Sequence, residues 1–584
     1  MTSADIAGLE ARTRHNPEDA EAWRALARGL RETEDAETAS AAELNAIHAA
    51  KSDPLLMEAG LALVDNDIPK AEHLLRERLK ENPFDVAAIR MFAEVAARVG
   101  RVEAAEKLLR RALELAPDFV AARANLAMIL HRQARSGEAI EVLQQVLAVD
   151  PDNPGHKNLK AAALVRVGGF DEAIAIYEEM VALLPDNAKL WMSYGHVLKT
   201  VGRQDDGIAA YRRAIALEPG FGEAWWSLAN LKTVQFDEAD RAAMEAALER
   251  ADLSAEDRFH LHFSLGKAWE DAPAGPERAE RSFAHYREGN ALRREEIGYR
   301  PERISAMVGR SIAMLESGAL NGPAFGDLRD DVIFILGMPR AGSTLIEQIL
   351  ASHSQVEGTQ ELGEIPAIAQ DLQRRFGEGD AGVNAYPGLL GDLGDDELMA
   401  LGTRYLDATR IQRKTDKPYF IDKLPNNWLH LPLIHRILPN AKIIDARRHP
   451  MDCCFSNFRQ HYARGQNFSY SLEDMGHYYR DYVHLMRAVD VALPGKVHRV
   501  IHEAIVADLE GEVRRLLAFL GLPFEEACLR FHENERAVRT ASSEQVRRPI
   551  NRDGMDRWQD YAAWLGPLET ALGDVLTAYP DVPR

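Results

Sequence analysis

The chain has 584 residues, with 46% hydrophobic and 28% charged side chains, a composition normal for globular protein but too long for a single hydrophobic core. Its net charge of −21 excludes a general nucleic-acid binder, because a polyanion is repelled everywhere except at a local basic patch. Three cysteines (Cys453, Cys454 and Cys528) cannot make a disulfide framework, so a reducing compartment is expected. The N-terminal stretch lacks an apolar signal-type core, and no apolar run approaches about 18 residues. Neither export nor a membrane span is therefore expected, and the expected location is the cytoplasm.

In the first half, prolines recur at Pro83, Pro117, Pro151, Pro185 and Pro219, each 34 residues after the last. Ten residues after each proline stands a small residue: Ala93, Ala127, Ala161, Gly195 and Ala229. Twelve further on, the first four units carry Ala105, Ala139, Ala173 and Gly207. Amphipathic helical patterns run between them. Small residues where two backbones cross, with proline ending the second helix, predict a stack of antiparallel helix pairs. Trp191, Tyr194-Gly195, Tyr211 and Ala214, with Trp225 and Leu228, resemble the tetratricopeptide (TPR) pattern. Degenerate units are expected around Pro17 with Trp23, between Pro54 and Pro83, and from His262 to Asn290, since terminal repeats must cap the array.

The predicted organisation is a TPR α-solenoid over residues 1–290, a helical linker over 291–330 containing Gly322-Pro323 and Gly326, and a P-loop-like α/β domain over 331–584. The concave face of a solenoid is expected to bind peptide or protein, here an acceptor protein. Contact with a second copy, giving a homodimer, and a purely architectural role are the alternatives. His260-Leu261-His262 lies inside a helical repeat pattern and is not expected to hold metal.

From Val332 onward strand-like and helical stretches alternate. Strands are predicted at Val332–Leu336, Tyr419–Asp422, Lys442–Ala446 and Val497–His502. Helices are predicted at Leu345–Ser352, Asp395–Arg413, Trp428–Leu438, Pro450–Gln460, Leu472–Leu493 and Val513–Leu520. That alternation implies a parallel sheet with helices on both faces and ligands at the carboxyl ends of the strands. The first strand runs into Gly337-Met338-Pro339-Arg340-Ala341-Gly342-Ser343-Thr344. Gly337 and Gly342 have P-loop spacing, and a glycine loop opening a helix cradles phosphate. The usual lysine is missing, and Arg340 supplies charge from inside the loop. Two further strand ends bear on the same crevice: Lys423, and Arg447-Arg448 with Ser456 about two helical turns later. Paired arginines and a lone lysine usually face water, and they gain weight here only beside the loop.

The Arg340–Leu345 loop, followed by His353 and Glu361, resembles the sulfotransferase family, and within it the protein-tyrosine sulfotransferases and bacterial TPR-sulfotransferase proteins. Arg448 with Ser456, the segment Ser542 to Asn551, and Arg557-Trp558 fall in that family's order, so the likeness spans about residues 331–558. The resemblance implies a donor, 3′-phosphoadenosine 5′-phosphosulfate (PAPS), whose 5′-phosphosulfate lies on Arg340, Ala341, Gly342, Ser343 and Thr344. It implies a 3′-phosphate on Arg448 and Ser456, with Ser542 and Arg557 closing over the donor. It also implies Glu361 as general base, with Lys423 and Arg340 stabilising the transferred group, and no metal. Glu357 and Glu364 are rivals for the base. Gly363 and Ala367 stand where tyrosine sulfotransferases carry basic residues, and Arg374 or Arg375 would have to replace them. The acceptor expected first is a protein tyrosine, with a glycan or small hydroxylated molecule as alternatives. A non-catalytic TPR adaptor is a second reading. A P-loop kinase or NTPase, the third, is disfavoured by the missing lysine and the lack of an obvious Mg²⁺-holding acid.

Overall fold

The computed structural model describes residues 2–33, 35–50, 53–231, 233–320, 326–376, 385–462, 465–536, 538, 540, 545–552 and 554–581. The chain forms two compact units, Met1–Leu183 and Leu184–Arg584. No helix among the described residues is long and apolar enough to cross a membrane.

The first unit is a stack of helix pairs, among them Val86–Arg98 with Val102–Leu115 and Val120–Arg132 with Ser136–Val149. Pro83, Pro117 and Pro151 each stand two residues past a helix end, at Glu81, Leu115 and Val149, where proline cannot continue the helix. Ala105, Ala127, Ala139, Ala161 and Ala173 are fully buried at the crossings, and a larger side chain there would hold the backbones apart. The degenerate first unit is present too. Trp23 donates its indole N–H to the Pro17 carbonyl at 2.9 Å, as Trp191 does to Pro185 at 2.8 Å and Trp225 to Pro219 at 2.9 Å in the second unit.

The second unit begins with repeat helices and ends with an α/β domain. Helices Ala255–Glu270 and Arg278–Ile297 form the late pair. Gly266 stands against Tyr286 so closely that a Cβ would come within 2.7 Å of its ring, the same fit that Gly195 makes with Tyr211. This pair packs on the α/β domain: Asn290 donates to the Phe458 carbonyl at 2.8 Å, and Arg294 pairs with Asp474 at 2.8 Å. Within 291–330 the helix Pro301–Glu316 reaches the same helical layer through Ser305, which donates to Asp481 at 2.6 Å. Gly322 and Pro323 lie outside the described residues.

The sheet has five parallel strands, β1 (Val332–Gly337), β2 (Val356–Gly358), β3 (Tyr419–Lys423), β4 (Lys442–Arg447) and β5 (Val497–Ile501), in the order β2-β3-β1-β4-β5. Every residue of β1 is buried, as expected of a central strand covered on both faces. An α-solenoid joined to a parallel α/β domain is thus the architecture, as the periodicities implied. Differences are local. β2, only three residues long, and the helix Glu364–Phe376 were not predicted. The helix expected over Trp428–Leu438 starts as a 3₁₀ turn, Pro425–His430, and becomes α-helical only over Leu431–Ile437. Pro432 lies in the first turn of that helix, where its missing N–H costs nothing. The last strand stops at Ile501, and His502 opens a short helix.

Candidate active site

The loop is shaped by three left-handed residues. Gly337 ends β1 at φ 130°, and a Cβ there would lie 2.3 Å from the Ala446 carbonyl oxygen on β4, so only glycine lets the strands pair to this point. Arg340 (φ 66°) and Gly342 (φ 97°) turn the chain back, and the helix Ser343–Ala351 starts at once. Left-handed backbone at a non-glycine residue is strained, by about 1–3 kcal/mol, and the surroundings hold it. Arg448 donates to the Arg340 carbonyl at 3.2 Å, and Asn457 donates to the Pro339 carbonyl at 2.7 Å. The Arg340 guanidinium donates to Ser456 Oγ at 3.1 Å and to Gln545 Oε1 at 3.2 Å. Burial, with Arg448 and Arg459 close by, pulls the Arg340 guanidinium below its usual pKa. Cations crowded and desolvated in this way favour an anion between them.

Beside the loop lies a cavity of about 360 Å³, bordered by Arg340, Gly342, Ser343, Thr344, Arg448, Ser456 and Arg557. Eight of the residues expected around a donor are therefore placed around this cavity or, for Ala341, just behind it, since the Ala341 side chain belongs to the apolar core. Of the adjacent arginines only Arg448 borders the cavity. Arg447 points the other way, as strand alternation requires, and pairs with buried Asp445 at 3.0 Å. Trp558 stacks on His449 with centroids 6.1 Å apart. Ser542 lies outside the described residues.

His502, which the sequence pattern does not single out, also borders the cavity. It stands just past the carboxyl end of β5, the position where parallel sheets gather ligands. A Cβ on Gly342 would come 2.9 Å from its Nδ1, and burial with Arg448 alongside pushes its pKa down to about 4. The imidazole is neutral at pH 7.

Glu361 and Lys423 form a separate pair that does not border the cavity. Lys423 ends β3 in register with Ile335 of β1 and is 1% exposed, and its ammonium lies 2.6 Å from Glu361 Oε1. The Glu361 side chain is 44% exposed, so it reaches from a buried cation into solvent. Behind Lys423, buried Glu347 lies 4.0 Å away and is itself paired with Arg536 at 2.8 Å. Burying an ammonium costs less with such carboxylates beside it. Glu347 and Arg536 could not be read from the sequence, because their pairing joins a helix to a loop 189 residues later.

The rival carboxylates differ. Glu357 is buried and accepts backbone N–H groups from Lys414 at 2.5 Å and Thr415 at 3.0 Å, which makes it a brace for that turn. Burial raises the Glu364 pKa, and Glu364 opens the helix Glu364–Phe376. Arg374 and Arg375 are bound to Asp371 at 2.6 Å and Glu397 at 2.7 Å.

Residues 331–526 match the family model described as "Sulfotransferase family". Residues 52–189 match "Cytochrome c-type biogenesis protein H TPR domain", and 188–221 match "Tetratricopeptide repeat". The chain joins tetratricopeptide repeats to a sulfotransferase domain. An uncharacterised Aquifex aeolicus protein is 30% identical over 295 residues, covering 50% of this chain and 38% of that protein. Protein-tyrosine sulfotransferase 1 of Danio rerio is 26% identical over 302 residues, covering 47% of this chain and 80% of that protein. Among solved structures, one titled "MamA RS-1 ArsTM double mutant" is similar at 18% identity and a TM-score of 0.26, covering 28% of this chain and 90% of that one.

Proposed function

We propose that this protein transfers a sulfuryl group from PAPS to an acceptor hydroxyl, the hydroxyl of a protein tyrosine, with Glu361 as general base. The observation that carries the reading is the glycine loop with arginine in place of lysine, opening on a cavity bordered by Arg340, Arg448 and Ser456; on the neighbouring strand Lys423 lies 2.6 Å from Glu361. The cavity of about 360 Å³ falls within the usual range of about 300–1,000 Å³ for a small-molecule site. Its charge also fits: the loop backbone and Arg340 suit one anionic end of such a donor, and Arg448 with Ser456 the other.

The donor supplies an activated sulfur–oxygen bond to a phosphate leaving group. The acceptor hydroxyl loses its proton to Glu361 as its oxygen bonds to sulfur and the bridging S–O bond breaks. Lys423 and Arg340 then hold the charge that grows on the bridging oxygen. Glu361 is suited to the acceptor side because it alone among the three candidate carboxylates is substantially exposed and cation-paired. The tyrosine acceptor rests on the likeness to the Danio rerio enzyme. A membrane-free cytoplasmic location and capture of the acceptor protein on the repeat array belong to the same proposal.

The test is transfer of labelled sulfate from PAPS into a tyrosine-containing peptide set and, in parallel, into glycan and small-molecule fractions of a lysate. Label on tyrosine supports the acceptor assignment. Label confined to glycan or small molecules corrects the acceptor, and no label anywhere overturns the transferase reading.

A further inference from the structure

Part of the wall of the cavity comes from the repeat helices. Trp226, Lys267 and Glu270 border it, and all three lie in helical repeats of the second unit. Glu270 is the residue that links this wall to the cations. It ends the helix Ala255–Glu270, is 8% exposed, and receives Arg459 at 2.5 Å on Oε1 and the Tyr286 hydroxyl at 2.9 Å on Oε2. Arg557 lies 3.9 Å from the same Oε1. Arg459 stands one helical turn beyond Ser456, so its guanidinium shares the cavity with those of Arg340 and Arg448.

Three desolvated guanidiniums around one cavity repel one another. Without a fixed counter-charge the outermost would swing toward water. Glu270 supplies that charge from the wall itself. Burial alone would raise its carboxyl, but Arg459 and Lys267 outweigh burial and hold it down at about 2, so it is anionic throughout the physiological range. Arg459 and Arg448 each keep a buried Nε with no hydrogen-bond partner among the described residues, and an unsatisfied buried donor calls for an acceptor.

We infer that Glu270, a repeat-borne carboxylate, is a positioning residue for the donor cavity: it fixes Arg459 at the wall, so that the tetratricopeptide layer completes the donor site. The inference rests on the donor reading above. It means that the late repeats are part of the enzyme's binding machinery and not only a docking platform for acceptor.

The test uses the full-length chain and calorimetric titration with adenosine 3′,5′-bisphosphate, the desulfated donor. Arg459→Ala is expected to weaken binding roughly 10- to 100-fold, the usual range for a charge-assisted hydrogen bond. Glu270→Gln is expected to weaken it by a comparable or smaller factor, raising the KM for donor while leaving kcat near the wild-type value. Because Glu270 acts through Arg459, the double variant should bind no more weakly than Arg459→Ala alone. If the two losses multiply, Glu270 acts by general packing and the inference fails. Unchanged or tighter binding by Glu270→Gln also overturns it. Should Glu270→Gln not fold, Arg459→Lys reads the same geometry, since lysine keeps the charge but loses the fork. Wild-type affinity in Arg459→Lys and in Arg459→Ala would again reject the inference. Failure of the wild-type protein to bind the bisphosphate is a different result: it removes the donor reading itself, and the inference with it.

Discussion

The repeats of the first unit and those of the second follow one pattern and serve different ends. In the first, alanines such as Ala105, Ala127 and Ala139 are fully buried at the helix crossings, and the surrounding core is aliphatic. Its charges pair within or between neighbouring repeats, as Arg135 does with Glu106 at 2.8 Å. In the second, glycine faces tyrosine at the crossing, and aromatic side chains reach into the α/β domain: Trp226 donates to the His461 carbonyl at 3.3 Å, and Phe283 stacks with Trp564 at 5.3 Å. There the Glu270–Arg459 pair joins residues 189 positions apart. A stack satisfied by its neighbours is indifferent to what lies beyond it, whereas one clad onto a second fold becomes part of that fold's chemistry. Buried ion pairs seldom add net stability, so one retained at a ligand-sized cavity is better explained by what it holds in place.

The largest expected effect lies at the exposed carboxylate. Glu361→Gln should cut transfer about 10²- to 10⁴-fold, the usual worth of a general base, while calorimetric affinity for the bisphosphate stays at the wild-type level. Undiminished turnover would remove Glu361 from the chemistry. Next comes Lys423→Met, expected to cost about 10²- to 10³-fold in kcat, as for loss of one donor to a developing negative charge. If only KM rises, Lys423 binds and does not stabilise the transition state.

Smaller effects separate the two kinds of repeat. Ala127→Leu in the first unit overpacks a crossing and should cost about 1–3 kcal/mol, lowering the first melting transition without changing bisphosphate affinity. Gly266→Ala in the second unit pushes on Tyr286 and should lower both, which differential scanning calorimetry and titration would show together. Equal behaviour of the two variants would erase the distinction.

The weakest contrast is with pH. Burial pushes the Glu43 carboxyl of the first unit up to about 7. The cost of ionising it is present above pH 7, fades on acidification, and is gone below its ordinary value of 4.5. His260, His262 and His285 of the second unit run the other way, pushed by burial down to about 4. They cost nothing above their ordinary 6.5 and oppose folding increasingly as pH falls toward 4. Hydrogen exchange between pH 7 and 4.5 should show the helix Ala36–Ala49 gaining protection relative to the rest of its unit while Ala255–Glu270 loses it. Parallel trends in both would contradict the burial on which the signs depend.

The sequence made the repeats legible because a period of 34 residues survives wherever helices must cross at small side chains. It made β1, β3 and β4 legible because strands buried on both faces read as apolar runs. β2 left no such run: Val356-Glu357-Gly358 is too short, and Glu357 is spent on the turn at Lys414. The loop, Arg448 and Ser456 could be named in advance because their spacing is local. Glu270, Arg459, Glu347 and Arg536 could not, since each matters through a partner far away in the chain, and nothing in a repeat helix marks one glutamate as the counter-ion of a distant arginine. His502 was within reach, at a strand end, but was absorbed into the expected strand.

On the proposed function, the arginine-bearing loop and its cavity hold a nucleotide with phosphate at both ends and do so without a metal ion. The most direct measurement is calorimetric titration of the full-length protein with adenosine 3′,5′-bisphosphate in excess chelator, set beside ATP with Mg²⁺. Binding of the bisphosphate in chelator, weakened in Arg448→Ala, is the predicted result. Mg²⁺-dependent ATP binding with no uptake of the bisphosphate would contradict it.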